Sequence, residues 1–304
     1  MAEAGALAGV QNRRQFDASR FVEPGLGLAL DATFALSKRD RIFVLGNCFG
    51  QQFEYKLADA GYRADGAKLG PVYSISVVLQ TVRWALHGGF GPDHVIELEP
   101  GVWFNPHRAP YSPYPTRDAA VAEHAATLAA VGEGLRGADV LVVILGVVEY
   151  FVDTVSGSAM NCLPVEADVL QLCGRALPLR DRHADVLAGA LALANEVRAA
   201  RPDLRMLWGV SPITQDSTLF GPDVLVSNAY CKSTLRSALG EAVERLRESG
   251  VPADYFPCYE LGTLNPRERV FKEEFLGKAY GRMVRGRFVR DVVIPTLLGA
   301  YAAE

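Results

Sequence analysis

The amino-acid sequence predicts an α/β protein of three layers, α/β/α, in which helices cover both faces of a parallel central sheet. Two observations support this prediction. Apolar runs such as RIFVL at 41–45 and ADVLVVIL at 138–145 lack a polar side, as is typical of strands buried on both faces. Segments with helical spacing separate these runs, and such alternation indicates parallel strands connected by helices.

Strands and helices are predicted to alternate along most of the chain. Short apolar or β-rich runs predict strands at 41–45, 94–98, 138–145, 204–210 and 253–259. Apolar residues at helical spacing, such as Phe53, Leu57 and Ala60, predict helices at 51–60, 76–86, 118–135, 180–200 and 232–249. The proline- and aromatic-rich segment GVWFNPHRAPYSPYP at 101–115 is predicted to be a loop.

The organisation that we predict is one domain with a leading extension. No internal repeat and no low-complexity linker interrupts the chain, so residues 36–304 are assigned to a single domain with loop insertions. Residues 1–35 are interpreted as an irregular N-terminal extension that packs against this domain.

The composition excludes several kinds of partner. The chain has 304 residues, 49% of them hydrophobic, and a formal net charge of -4, which disfavours binding to nucleic acid or to an acidic membrane. Its densest basic run, 282–290, is interpreted as a solvated helix face. The sequence shows neither an export signal nor an apolar run of about 18 residues, so we expect a cytoplasmic protein.

The cysteines do not indicate a metal site. There are five, widely spaced, without a Cys-x-x-Cys pair and without a histidine at ligand spacing, so no zinc site is predicted. Cys173 and Cys258 are interpreted as small buried apolar residues.

Cys48 differs because it follows a predicted strand and the turn at Gly46, where a helix begins. Ligands of open parallel sheets bind beyond the carboxyl ends of the strands. A thiol in the first helical turn is exposed to the positive end of the helix dipole, which favours the thiolate and predicts a nucleophile. Asn47 and the backbone N–H groups beside it can stabilise an oxyanion. The alternative is that Cys48 merely packs under the helix.

Several short blocks of the sequence resemble, in order, those of the GSCFA family, a branch of the SGNH (GDSL-type) hydrolases. The first, LGNCFGQQFEYKLADAGY at 45–62, is similar to the Gly-Ser-Cys-Phe-Ala signature, with Asn47 in place of serine. The blocks that follow are GPVYSIS at 70–76, VWFNPH at 102–107, ILGVVEY at 144–150, MNCLP at 160–164, VSPIT at 210–214, NAYCKSTL at 228–235 and YFPCYEL at 255–261.

The resemblance implies an SGNH-hydrolase-like, flavodoxin-like fold and a set of site residues. It places Cys48 where GDSL enzymes have their nucleophilic serine, and Gly70 at a second oxyanion-hole position. Glu149 falls near the block that completes that hole, and Asn161 of MNCLP joins the binding set. A similar Gly-Asn-Cys turn occurs in a capsular-polysaccharide O-acetyltransferase group, which makes a coenzyme A thioester a possible cosubstrate.

Lys232 lies in the Asn-x-x-Cys-Lys block and has two interpretations. It is either a cation near a helix start or a clamp for an anionic substrate group.

The sequence also departs from the family pattern. Histidine is missing in three blocks, where Leu163, Gln215 and Gly277 occur instead. A cysteine tolerates the loss of its base better than a serine, since a thiol is partly ionised at neutral pH.

His107, in the loop 101–115, is our first choice for a replacement base, and Glu149 can orient a base or accept a substrate hydroxyl. His87 and His94 are interpreted as structural. His124 and His183 are expected at solvated surface positions.

Two functions are compatible with these observations. One is an esterase or O-acyltransferase that acts on a sugar-like or small-metabolite hydroxyl through Cys48. The other is a catalytically degenerate SGNH scaffold that binds a ligand or partner in the former cleft. No dinucleotide or P-loop glycine pattern is present, which disfavours a nucleotide cofactor.

Overall fold

The computed structural model describes residues 18–66, 69–109, 111–163, 174–275, 278–279 and 281–303, and the elements below are numbered within these ranges. Cys173 and Gly277 lie outside the described residues. The strands are β1 Arg41–Gly46, β2 Arg63–Asp65, β3 Ile96–Glu99, β4 Val102–Phe104, β5 Val140–Leu145, β6 Glu149–Asp153, β7 Ala159–Met160, β8 Ala176–Arg180, β9 Arg205–Val210, β10 Ala253–Tyr255, β11 Glu274–Phe275 and β12 Lys278–Ala279.

The helices fill the intervals between the strands of the central sheet and follow the last of them. They are α1 Cys48–Asp59, α2 Ile75–His87, α3 Arg117–Gly137, α4 His183–Ala200, α5 Val224–Glu248, α6 Cys258–Leu264, α7 Arg267–Val270, α8 Gly286–Phe288 and α9 Ile294–Tyr301. A π-helical turn, Val289–Val293, joins α8 to α9.

The central sheet has five parallel strands in the order β2-β1-β5-β9-β10. In chain order the five strands are β1, β2, β5, β9 and β10. If they are numbered 1 to 5 in that order, their spatial order across the sheet is 2-1-3-4-5, which is the flavodoxin-like order. From β1 the chain crosses to β2 on one side, and from β2 it crosses back over β1 to β5 on the other side. The strand order therefore reverses between β1 and β5. The gap beyond the carboxyl ends of these two strands is therefore the expected ligand position.

Both faces of the sheet are covered by apolar layers. On one face, Phe43 and Leu45 of β1 pack with the buried sides of α2, α3, α4 and α5. On the other, Ile42 and Val44 pack with α1, α6 and the segment from α8 to α9. Alternate residues of one strand thus face two different cores, which confirms the predicted three-layer α/β/α architecture.

Several predicted boundaries differ from the structure. The predicted loop 101–115 contains β4, which pairs with β3 as an antiparallel hairpin. The helix predicted from residue 180 begins at His183, because Arg180 is the last residue of β8, which joins β6 and β7 in a small antiparallel sheet. The helix predicted from residue 232 begins at Val224, because Asp223 caps it by accepting hydrogen bonds from Leu225 and Val226. The last central strand ends at Tyr255, and α6 follows.

The described part of the predicted N-terminal extension lies against the layer that contains α1. Leu26 is buried in this layer, and Thr33 donates hydrogen bonds from its backbone N and its Oγ1 to the Asp254 carboxylate of β10, at 2.9 and 2.8 Å. Across the described ranges, no helix combines the length and the apolar character that a membrane crossing requires.

Candidate active site

A cavity of about 90 Å³ opens at the carboxyl ends of β1 and β5. Its wall includes Asn47 and Cys48 after β1, Tyr73 before α2, and Gly146 after β5. The remaining described wall residues are Val147, Leu163, Ile213, Thr214, Gln215, Asp216, Ser217, Arg282 and Met283. The cavity thus occupies the position where a flavodoxin-like sheet is expected to bind its ligand.

Cys48 is the first residue of α1, as its position in the sequence predicted. The Asn47 side chain caps this helix, because its Oδ1 accepts hydrogen bonds from Phe49 N at 3.0 Å and Gly50 N at 3.4 Å. The cap fixes the turn that carries the thiol. Cys48 is partly exposed, whereas Cys162, Cys231 and Cys258 are buried. The expected burial of Cys258 is confirmed.

The electrostatic surroundings of Cys48 have opposing effects. Burial raises the pKa of its thiol, and this effect exceeds the lowering by its own backbone N–H and by the positive charge of Arg282. The prediction of a lowered pKa was therefore wrong. The helix terminus does act in the predicted direction, but loss of solvation outweighs it.

Gly146 lies in the cavity wall and is in close contact with Tyr73, Asn47 and Lys232. Its backbone N and that of Val147 donate to Tyr73 O at 3.0 and 3.2 Å. A Cβ atom on Gly146 would lie 2.5 Å from Asn47 Nδ2, so only glycine allows Asn47 to approach this closely. The Gly146 carbonyl accepts a hydrogen bond from Lys232 Nζ at 2.6 Å.

Lys232 is a fully buried cation, not a helix-start residue. It lies in the interior of α5 and has no exposed surface. Its pKa is lowered to about 8, mainly by burial and to a smaller extent by the charge of Arg282, against a raising effect of Cys231. Lys232 does not belong to the cavity wall, so it supports the wall through Gly146.

Segment 213–217 and Arg282 form the polar side of the cavity. Arg282 donates from Nη1 to Thr214 O at 2.9 Å and forms an ion pair through Nη2 with Asp216 at 2.5 Å. The side chain of Arg282 is only 17% exposed, so interpreting the whole run 282–290 as a solvated helix face was wrong. Arg282 places a positive charge beside the thiol.

Glu149 starts β6 and is buried beside segment 213–217 without entering the cavity wall. Its carboxylate accepts hydrogen bonds from Thr218 Oγ1 at 2.8 Å and Ser227 Oγ at 2.7 Å. These bonds connect the loop after β9 to the start of α5. The geometry gives Glu149 a supporting position behind the loop.

His107 lies away from the cavity, in an aromatic cluster. Its Nδ1 donates to Ala159 O at 2.9 Å, and its ring packs edge-on against Trp84 with ring centroids 4.9 Å apart. The cluster also contains Phe90, His94 and His124. Burial lowers the pKa of His107 to about 4. Among the described wall residues there is no histidine, although all five histidines fall within the described ranges.

His124 is buried in the same cluster, so its expected surface position was wrong. Neither of its ring nitrogens has a hydrogen-bond partner among the described residues, and burial lowers its pKa to about 3. Across those residues, no group of three His, Cys, Asp or Glu side chains is arranged to hold a metal ion.

Gly70 and Asn161 are also outside the cavity wall. Gly70 has φ +87°, and a Cβ atom there would lie 2.1 Å from Ala109 O. Asn161 donates from Nδ2 to Pro71 O at 2.7 Å. Both residues shape the chain that leads to Tyr73. Of the predicted site residues, the structure therefore brings Cys48 and Asn47 into the cavity, with Lys232 directly behind its wall.

Sequence reasoning missed Asp216 and Arg282 as members of the site. A signal existed for segment 213–217, because the VSPIT block was recognised and Gln215 was noted as a departure. Arg282 carried no such signal, since its partners lie more than 60 residues earlier.

The fold and the cavity define a three-layer α/β protein with a thiol at the switch point of a flavodoxin-like sheet. The chain belongs to the GSCFA family, whose model matches residues 41–279. Neither a curated protein nor a solved structure matches the chain significantly.

Proposed function

We propose that this protein is an acyl-transfer enzyme, an esterase or O-acyltransferase, in which Cys48 forms a thioester with the acyl group of a sugar-like or small-metabolite ester. The observation that carries the proposal is the position of Cys48. It is partly exposed at the first turn of α1, and it lines a cavity at the switch point of the sheet. A structural cysteine would have no reason to occupy this position, because an accessible thiol is open to oxidation.

The reaction uses the thiolate. The Cys48 thiol releases its proton to solvent, and the sulfur attacks the acyl carbon, so that an S–C bond forms and the C–O bond to the leaving alcohol breaks. The alkoxide takes a proton from solvent. Water or a second hydroxyl then attacks the thioester, which restores the thiol. Coenzyme A is a candidate acyl donor, in which case the first bond broken is its C–S bond.

Two groups in the wall favour the charged states of this reaction. Arg282 and the Cys48 backbone N–H both lower the pKa of the thiol, against the effect of burial. The Cys48 N–H and the Asn47 side chain are at the α1 terminus, where the helix dipole stabilises an oxyanion. The SGNH ancestry that the sequence blocks suggest places the nucleophile at this same turn.

The proposal is tested by acylation with p-nitrophenyl acetate. We expect a burst of p-nitrophenolate equal to the enzyme concentration and a mass increase of one acetyl group on the peptide that contains Cys48. Iodoacetamide should modify Cys48 before the buried Cys162, Cys231 and Cys258, which serve as internal controls. If the four thiols react at equal rates and no burst occurs, the proposal is wrong.

A second function is favoured by two observations, the lack of a histidine in the described cavity wall and the raised pKa of the Cys48 thiol. In this alternative the protein is a degenerate scaffold that binds a ligand or a partner in the cleft. It predicts that a Cys48→Ala variant keeps full biological activity, whereas the enzymatic proposal predicts that this variant has none.

A further inference from the structure

One side chain in the cavity wall has unused hydrogen-bonding groups. Gln215 is 7% exposed and lines the cavity, and neither its Oε1 nor its Nε2 has a hydrogen-bond partner among the described residues. Buried amides are almost always paired, because an unpaired donor or acceptor loses its solvation without compensation. Gln215 therefore departs from the pattern of a purely structural glutamine.

The backbone around Gln215 is held firmly while its side chain is not. Gln215 N donates to Asn228 Oδ1 at 3.0 Å, Arg282 Nη1 donates to Thr214 O at 2.9 Å, and Ile213 N donates to Ser211 Oγ at 3.2 Å. Three hydrogen bonds thus fix the segment from different directions. A preorganised backbone with an unpaired polar tip is the arrangement expected of a ligand-binding residue.

The amide presents one donor and one acceptor side by side. Rotation of the amide by 180° exchanges the two atoms, so both orientations offer the same pair. The matching ligand group must also carry a donor and an acceptor on one edge. Two adjacent hydroxyls meet this requirement, because each hydroxyl can both donate and accept.

The other wall residues agree with a polyol ligand. Tyr73, Val147 and Leu163 offer apolar surface for the carbon face of a ring, and the Arg282–Asp216 pair offers further donors and acceptors. Ligand sites of this type combine a mainly apolar wall with a few placed polar groups.

We propose that Gln215 is the recognition group for two adjacent hydroxyls of a sugar or polyol, bound in the cavity beside Cys48. The inference rests on the proposed acyl transfer and specifies its substrate class. It assigns to Gln215 a role in binding, separate from the chemistry at the sulfur.

The test compares two esters of the same shape. Methyl 6-O-acetylglucopyranoside has a ring with adjacent hydroxyls, and cyclohexylmethyl acetate has a ring without them. We expect the unaltered protein to prefer the glucoside in kcat/KM. In Gln215→Met, which keeps the size and removes both hydrogen-bonding groups, this preference should fall at least tenfold, mainly through KM. Gln215→Glu keeps an acceptor and should restore part of the preference.

Acylation by p-nitrophenyl acetate separates the two proposals, since this ester has no hydroxyl for Gln215 to bind. In Gln215→Met the rate of that acylation should fall less than kcat/KM for the glucoside does, because this ester has no hydrogen bond to the amide to lose. If acylation occurs but Gln215→Met keeps the full preference for the glucoside, the role of Gln215 is refuted and the enzymatic proposal stands. If Cys48 is not acylated at all, the proposed function fails.

A binding measurement gives a readout without turnover. Methyl glucopyranoside should raise the melting temperature of Cys48→Ala, and the additional change Gln215→Met should abolish that rise. An equal rise in both proteins would show that the Gln215 amide does not contribute to binding of the glucoside, and would overturn the inference.

Discussion

The thiol of Cys48 and three of the five histidines occupy two separate regions of the molecule. Cys48 lines a cavity at the ends of β1 and β5, next to Arg282 and Asp216. His94, His107 and His124 lie in an aromatic cluster around Trp84. The first region has a partly exposed thiol and no described histidine, and the second contains His107 and His124, whose pKa values are lowered by burial. Residue types that suggest a catalytic pair in a sequence thus acquire different roles when the fold separates them.

Substitution of one residue in each region tests whether the two regions have different roles. We expect Cys48→Ala to lower kcat/KM for p-nitrophenyl acetate by a factor on the order of 10³ or more, because the nucleophile is removed. His107→Asn should change that value by less than about threefold, because His107 lies outside the cavity wall. Steady-state kinetics measure both effects. Equal losses in the two variants would show that His107 takes part in the reaction.

Lys232 lies in the core and donates a hydrogen bond to Gly146 of the cavity wall. Its substitution tests whether this hydrogen bond keeps the wall in place. In Lys232→Met the hydrogen bond to the Gly146 carbonyl is lost, so the junction that positions Asn47 loosens. We expect kcat/KM to fall about tenfold, since small displacements of a site have effects of this size. Lys232→Arg is the matched variant that keeps the charge and the donor. Unchanged kinetics in Lys232→Met would show that Gly146 needs no such support.

The same variant gives a pH-dependent stability difference. The pKa of Lys232 is lowered to about 8 in the folded protein, from an ordinary value of 10.5, so between these values the unfolded chain binds more protons. Stability contributed by this site therefore rises with pH across that window. Denaturant titrations at pH 7.5 and 10 should show this rise in the unaltered protein relative to Lys232→Met. The opposite sign would contradict the burial of an uncompensated cation.

The smallest expected effect concerns the histidine cluster. His124→Phe removes two buried nitrogens without described partners and should raise the free energy of unfolding at pH 5 by about 1 kcal/mol. Folded pKa values of about 4 for His107 and about 3 for His124 lie below 6.5, so stability is lost as pH falls below that value. Urea titrations at pH 7.5 and 5 should show a smaller acid loss in His124→Phe. An equal loss would mean that the ring is protonated without cost.

Much of the fold was predictable because its strands have a strong local signal. Alternate residues of β1, such as Phe43 and Val44, are both apolar because they face two different cores. The turn at Cys48 was predictable for a similar reason, since an apolar run, a glycine and a helical pattern follow one another. These features depend on neighbours in sequence.

The parts that were mispredicted depend on distant contacts. His124 has the helical surroundings of a surface residue, but packing against Phe90 from the loop after α2, with ring centroids 4.5 Å apart, makes it a core residue. Arg282 belongs to a basic run, yet its ion pair with Asp216 brings it to the cavity. The pKa of Cys48 is set by the balance between burial and a helix terminus, and sequence position alone reveals only the second effect.

The outer strands of the central sheet have a consequence for self-association. β2 and β10 contain three residues each, and Thr33 covers part of β10 by bonding to Asp254. Free backbone groups on a long outer strand are a template on which another chain can extend the sheet. Because both borders here are so brief, concentrated solutions of the protein should resist this route to fibrils.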